Sequence, residues 1–178
     1  PLPLGDGDIF KALESVKEYK EYVGGNNLVY CISEEKKSLF DGKYELSSEP
    51  DFAEYVYLSK DLIELQGKQF HAKKNHLNQF VKNNEYEYKR ISSKDIPLVM
   101  DLLETWNQKK AYSSDLNIEK QAINELLNYD VGIDYKAGVI ISDSRIVAFS
   151  IGEQISEDMA CVYFEKADVS IKGSYAVI

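Results

Sequence analysis

Cysteine, histidine and proline are scarce in this chain of 178 residues, which has only two, two and four of them. Cys31 and Cys161 lie in apolar, strand-like stretches and form no CxxC pair, so we predict two buried free thiols, as in a reducing cytoplasm. His71 and His76 are five positions apart and have no cysteine nearby, a spacing that does not suit zinc, and we expect no metal site. Cys-His and Ser-His-Asp catalytic patterns are missing as well.

Long apolar runs are also missing. No segment approaches the roughly 18 apolar residues that a membrane-spanning helix requires, and the N-terminus lacks the pattern of a signal peptide. A hydrophobic content of 44% with few prolines is typical of a folded domain, and we expect a cytoplasmic protein without a membrane span. The chain starts at Pro1 and ends at Ile178 where a new helix is predicted to begin, so we expect a piece of a longer protein.

Positive charge is in short supply, with 21 Lys and Arg against 30 Asp and Glu and a net charge of −9. Nonspecific nucleic-acid binding by the whole surface is therefore not expected, and we predict no DNA partner. The residues between Glu64 and Glu85 are the exception, because they contain four lysines, both histidines and no carboxylate. A basic stretch in an acidic chain predicts a local site for an anionic partner.

Within the basic stretch, Phe70, Leu77 and Phe80 fall on one face at helical spacing, which predicts an amphipathic basic helix. Lysine suits point contacts to phosphate, and asparagine adds hydrogen bonds. The alternative is a solvated linker helix whose charges balance acidic neighbours. The candidate phosphate- or substrate-binding residues are Lys68, His71, Lys73, Lys74, Asn75 and His76.

Local patterns predict an α+β fold. In the first half, Asp8 caps a helix, and strands are predicted at Leu28–Ile32 and within Tyr44–Leu58. The second half reads as a strand at Tyr86–Ile91, a helix with Pro97 in its first turn and a second helix. A hairpin turning at Asp143-Ser144, a strand ending at Ala167 and a loop leading into a helix follow.

This order of elements is similar to the GNAT-like fold of acyl-CoA N-acyltransferases. The amino-acid sequence itself resembles bacterial proteins related to the C-terminal domain of phosphatidylglycerol lysyltransferase, and the similarity covers nearly the whole chain. The stretches that carry it are Gly67–Phe80, Ile146–Glu153, Phe164–Ala167 and Ile171–Tyr175. Lys74 stands where this family commonly has arginine. Lysine carries a point charge, whereas the arginine side chain can form two parallel hydrogen bonds to one group.

The resemblance implies a GNAT-like mixed sheet flanked by helices, in parts of two tandem copies. Residues 1–58 would be the C-terminal part of a first half, 59–84 a basic connecting helix and 85–178 the N-terminal part of a second half. It also implies site residues on the last strand and the loop after it. Lys172, Gly173 and Ser174 would bind the pyrophosphate of a cofactor.

The same resemblance implies that Glu165 would deprotonate an acceptor and that Tyr175 would protonate a leaving group. The neighbouring Lys166 should point to the opposite face of the sheet. The implied donor is a coenzyme A thioester or an aminoacyl-tRNA, neither tightly bound as a cofactor, and the implied partner is an anionic small molecule or a tRNA end. Alternative readings take Lys172-Gly173 as a plain helix-start loop and Glu165 as an exposed strand charge.

Three functions remain open from the residues. The first is an acyl- or aminoacyltransferase-like enzyme that moves an acyl group to an amine or hydroxyl acceptor. The second is a non-catalytic binding module for an anionic ligand, and the third is a degenerate structural copy. The oligomeric state is open.

Overall fold

The computed structural model describes residues 6–24, 28–30, 32–48, 50, 53–108, 114–129, 132 and 134–178. Two compact units divide the chain, Pro1–Val56 and Tyr57–Ile178. The predicted basic helix belongs to the second unit. The predicted arrangement of two tandem half-domains stays a prediction.

The first unit contains two helices, α1 (Ile9–Val23) and α2 (Glu34–Phe40). The carboxylate of Asp8 caps α1 as predicted, because it accepts from the backbone N–H groups of Phe10 at 3.0 Å and Lys11 at 3.2 Å. A small core packs Leu13 against Phe40. The strands predicted at Leu28–Ile32 and within Tyr44–Leu58 are wrong for the described residues of those stretches, which form no strand.

The second unit contains α3 (Ser59–Glu64), a 3₁₀ turn (Lys68–Phe70) and α4 (His71–Asn83). Strand β1 (Tyr86–Arg90), helix α5 (Ile96–Gln108) and helix α6 (Ser114–Asn128) follow. Strands β2 (Tyr135–Ser142), β3 (Arg145–Gln154) and β4 (Ala160–Ala167) lead to the short helix α7 (Ser174–Val177). This is the α+β order that the sequence predicts for the second half.

The four strands form one sheet in the order β1-β2-β3-β4, and every neighbouring pair is antiparallel. The prediction of a mixed sheet is therefore wrong for the described strands. The physical reason is the connections: β2, β3 and β4 are joined by direct hairpins, which can only produce antiparallel neighbours. The turn at Asp143-Ser144 is confirmed, with φ of 49° and 61°, the positive values that a tight two-residue hairpin requires.

Two cores lie on opposite faces of this sheet. One face packs against α5 and α6 through residues such as Leu103, Ile123 and Phe149. The other packs against α4 and α7 and is centred on Phe80, which is fully buried. The second core joins the basic helix to the segment that follows β4.

A buried carboxylate anchors the start of α5. Asp95 is 4% exposed and accepts from Lys89 Nζ at 2.7 Å and from the Ser92 backbone N–H at 2.9 Å and hydroxyl at 2.6 Å. The hydrogen bond from Lys89 contributes most to lowering the pKa of Asp95 to about 2, and those from Ser92 add to it. This cluster fixes the junction between β1 and α5.

Cys161 on β4 is a free thiol, as predicted. The prediction that it is buried is wrong, because it is only partly buried on a strand at the edge of the sheet. The predicted buried thiol at Cys31 lies outside the described residues.

Candidate functional site

An open cleft of about 560 Å³ lies between α4 and the segment from the end of β4 to α7. Its volume falls within the range of small-molecule sites, roughly 300–1,000 Å³. Seven of the residues proposed from the sequence line it: Lys73, His76, Glu165, Lys172, Gly173, Ser174 and Tyr175. The two sequence motifs, one on the basic helix and one around the last strand, therefore meet in one place.

The helix repeat explains which basic residues reach the cleft. Lys73 and His76 are three residues apart and share one face of α4, the same side as the buried Phe80. Each residue turns the helix by about 100°, so Lys74 and Asn75 point away. The remaining sequence candidates, Lys68, His71, Lys74 and Asn75, are exposed and do not line the cleft.

A glycine brings the loop after β4 against α4. Gly173 has a φ of +87°, and a Cβ at this position would overlap the carbonyl oxygen of His76 and lie 2.9 Å from the Cβ of Phe80. Only glycine combines this backbone conformation with such a close approach. The contact places Lys172 on the same cleft as Lys73.

The loop itself is held by hydrogen bonds. The Ser174 side chain is 2% exposed, and its hydroxyl donates to the backbone oxygen of Asp168 at 2.8 Å. The carboxylate of Asp168 in turn accepts from the backbone N–H and the hydroxyl of Ser170, at 3.0 and 2.7 Å. These bonds give the loop that carries Lys172 a defined shape.

Glu165 is the carboxylate of the cleft. Desolvation by the surrounding walls raises the pKa of Glu165 above its ordinary value, and the positive charges of Lys73 and Lys166 partly oppose that rise. Its neighbour Lys166 points to the other face of the sheet, as strand alternation predicts, and its Nζ lies 2.7 Å from Glu119 Oε1 on α6. The cleft thus combines one partly desolvated carboxylate with two lysines and a histidine.

Tyr175 lines the cleft, and its hydroxyl is held from outside it. Trp106 Nε1 on α5 donates to Tyr175 Oη at 2.8 Å, and Lys166 Nζ lies 4.5 Å from the centre of the Trp106 ring. Trp106 was not among the candidate residues from the sequence, and this contact was missed. The pairing of residues 106 and 175 carries no local signal in the sequence.

Three further findings concern the site and the described part of the chain. Lys73 Nζ lies 6.0 Å from the Tyr57 ring centre, at the outer limit of a cation–π contact. The described residues include no cluster of three or more His, Cys, Asp or Glu that could hold a metal ion. No described helix has the length and apolar character to span a membrane.

Fold and cleft together define an α+β protein with a cationic site. The model of the family described as phosphatidylglycerol lysyltransferase, C-terminal, matches residues 2–178, and the chain belongs to this family of transferase-related domains. A search of curated proteins finds no match.

Among solved structures, the chain is similar to a conserved protein of unknown function from Bacteroides thetaiotaomicron VPI-5482. The two are 28% identical with a TM-score of 0.78. The match covers 99% of this chain and 62% of that protein, so this chain spans less than two thirds of its relative.

Proposed function

We propose that the cleft binds a phosphate-bearing acyl donor, either a coenzyme A thioester or an aminoacyl-tRNA end, and transfers its acyl group to an amine or hydroxyl acceptor. The observation that carries the proposal is the meeting of Lys73, His76 and Lys172 with Glu165 around one cleft. Membership of a lysyltransferase-related family supports a transferase role.

The donor side of the proposal rests on charge. Lys73 and Lys172 approach the cleft from separate elements, α4 and the loop before α7, so they can contact a phosphate group from two directions. Lysine provides a compact charge and three donors, which suits a phosphate without fixed orientation. In a chain with net charge −9, this local excess of cations favours an anion at the cleft over one elsewhere.

The chemical side of the proposal rests on Glu165. A carboxylate with a raised pKa is a better base than an ordinary surface glutamate. In the proposed step Glu165 takes the proton of the acceptor as its nitrogen or oxygen attacks the acyl carbonyl. Tyr175 donates its hydroxyl proton to the departing sulfur or ribose oxygen, which leaves as coenzyme A or tRNA. Glu165 then releases its proton to water, and Tyr175 regains one.

The binding experiment is calorimetric titration of the purified protein with coenzyme A and with inorganic pyrophosphate. We expect Lys73→Met and Lys172→Met each to weaken binding roughly fivefold to tenfold, as loss of a charged contact does. Lys82→Met is the matched control, because Lys82 is an exposed lysine of the same helix that does not line the cleft. Equal affinity in all four proteins would contradict the proposed site.

The turnover experiment uses acyl-coenzyme A and aminoacyl-tRNA donors with a panel of amine and hydroxyl acceptors. Glu165→Gln should lower turnover on the order of a hundredfold while donor binding is retained, the effect expected for loss of a general base. Binding without product from any donor would instead identify a non-catalytic module for anions. If the protein neither binds a donor nor forms product, it is a degenerate structural copy.

A further inference from the structure

The side chains behind Tyr175 form a connected series that runs from the cleft to the opposite face of the sheet. Trp106 Nε1 donates to Tyr175 Oη at 2.8 Å, Lys166 Nζ lies 4.5 Å from the indole centre, and Lys166 Nζ is 2.7 Å from Glu119 Oε1. Trp106, Lys166 and Glu119 do not line the cleft. Trp106 reaches the cleft through Tyr175, whereas the charge of Lys166 also acts on the neighbouring Glu165.

Each contact in the series restricts the next. The Lys166 and Glu119 side chains are only 12% and 25% exposed, so their ion pair is better shielded from water than a surface pair. The pair fixes the ammonium group over the indole face, a cation–π contact that also restrains the ring. The ring then presents its N–H to Tyr175 in one orientation.

We infer that Trp106, supported by Lys166 and Glu119, is a positioning residue that holds the Tyr175 hydroxyl at the cleft. Indole nitrogen is only a donor, so the tyrosine oxygen accepts and keeps its own O–H proton for donation. When that proton leaves, the indole N–H still donates to the tyrosine oxygen and keeps the side chain in place. The inference rests on the proposed function for the role of the proton, whereas the geometry is independent of it.

The geometry can be tested without any activity, because Trp106 is the single tryptophan of the chain. Its indole N–H should give one cross-peak in a ¹H–¹⁵N spectrum of the protein. We expect Tyr175→Phe to move this peak and to speed its exchange with water, and Lys166→Met to move it as well. The control is Tyr163→Phe, because Tyr163 lies on the same strand as Lys166 but is bonded to Glu153. A peak that stays in place in Tyr175→Phe overturns the inference.

The positioning role is tested by turnover in a double-mutant cycle. Trp106→Phe keeps an aromatic ring and removes the donor, so we expect kcat to fall roughly tenfold with KM unchanged, a part of the effect of losing the acid itself. Trp106→Phe combined with Tyr175→Phe should be no slower than Tyr175→Phe alone. Additive losses would mean that Trp106 does not act through Tyr175, and this would overturn the inference.

The two experiments separate this inference from the proposed function. A wild-type protein without turnover on any donor would refute the proposed function, while the indole peak would still decide whether Trp106 holds Tyr175. Melting curves of each variant show whether it is folded. If Trp106→Phe does not fold, Glu119→Gln replaces it in the cycle, because it removes the charge that holds Lys166 over the indole and leaves the Lys166 charge beside Glu165 in place.

Discussion

Gly173→Ala is the change that tests most directly how the cleft is built. An alanine there would have a φ of +87°, and its Cβ would overlap the carbonyl oxygen of His76 and lie 3.0 Å from the carbonyl carbon of the same residue. The left-handed conformation costs about 1–2 kcal/mol for a residue with a Cβ, and overpacking against backbone costs about 1–3 kcal/mol. We therefore expect a loss of about 2–5 kcal/mol in the free energy of unfolding.

The measurement is urea unfolding followed by the fluorescence of Trp106, which reports on the second unit. Gly132→Ala is the matched control, because Gly132 also has a positive φ, +71°, but no atom of the described residues lies within 4 Å of the Cβ position. The control should lose only the conformational part, about 1–2 kcal/mol. If Gly173→Ala is no less stable than Gly132→Ala, the close approach to α4 does not exist.

A second result is expected from the same variant. To relieve the overlap, the loop must move away from α4, and Lys172 moves with it relative to Lys73. Affinity for pyrophosphate should then fall by roughly tenfold, which corresponds to about 1.4 kcal/mol. Gly132→Ala should bind as the wild type does. A destabilised Gly173→Ala with full affinity would show that the two lysines do not act on one ligand.

Three further predictions concern other parts of the second unit. Asp95→Asn should lower the free energy of unfolding, measured in urea, by about 1–2 kcal/mol at pH 7 and by less towards pH 2. Folding lowers the pKa of Asp95 from near 3.8 to about 2, so the carboxylate stabilises the fold above pH 3.8, and this contribution is lost as the pH falls towards about 2. Gly152→Ala should destabilise by about 2–3 kcal/mol in the same assay, because its Cβ would overlap the backbone of Cys161. The nearest atoms to a Cβ at Gly138 belong to the exposed Tyr88 ring, which can turn aside, so Gly138→Ala should cost about 1 kcal/mol or less. The transfer rate should rise with pH as Glu165 loses its proton, with a midpoint above the ordinary pKa of glutamate. A pH–rate profile whose midpoint lies at the ordinary glutamate pKa would contradict the role of Glu165 as base.

The elements of the second unit follow from patterns within single stretches of sequence. Apolar residues at helical spacing and a proline in the first turn predict α5, and the structure places it at Ile96–Gln108. The pair Asp143-Ser144 predicts a hairpin, and both residues have positive φ. Such elements are predictable because the residues that specify them are neighbours along the chain.

The strands expected in the first unit failed for the opposite reason. Val29 and Tyr30 have strand-forming side chains, as do Tyr55 and Val56, but the described residues around them form no ladder. A strand forms only when a second strand pairs with it through hydrogen bonds, and the local sequence does not show which segment is that partner. Apolar and aromatic content therefore indicated a tendency and not a sheet.

The cleft was predictable in its residue types and unpredictable in its geometry. Charge counting located the basic helix, and family resemblance located the loop at Lys172-Gly173. Whether the two would meet depended on Gly173 and on the packing of Ile171 and Val177 near Phe80, contacts between residues almost a hundred positions apart. The bond from Trp106 to Tyr175 is of the same kind.

The basic helix α4 therefore has two faces with different physical roles. Lys73 and His76 face the cleft, where a phosphate can be touched directly. Lys74 and Lys82 lie on other faces of a helix that is about 10–12 Å across with its side chains. That distance exceeds the Debye length of about 8 Å at physiological salt, so their attraction for an anion in the cleft is largely screened. Most of the affinity should then come from the few cations that line the cleft, although the net charge of the whole stretch is what made it visible in the sequence.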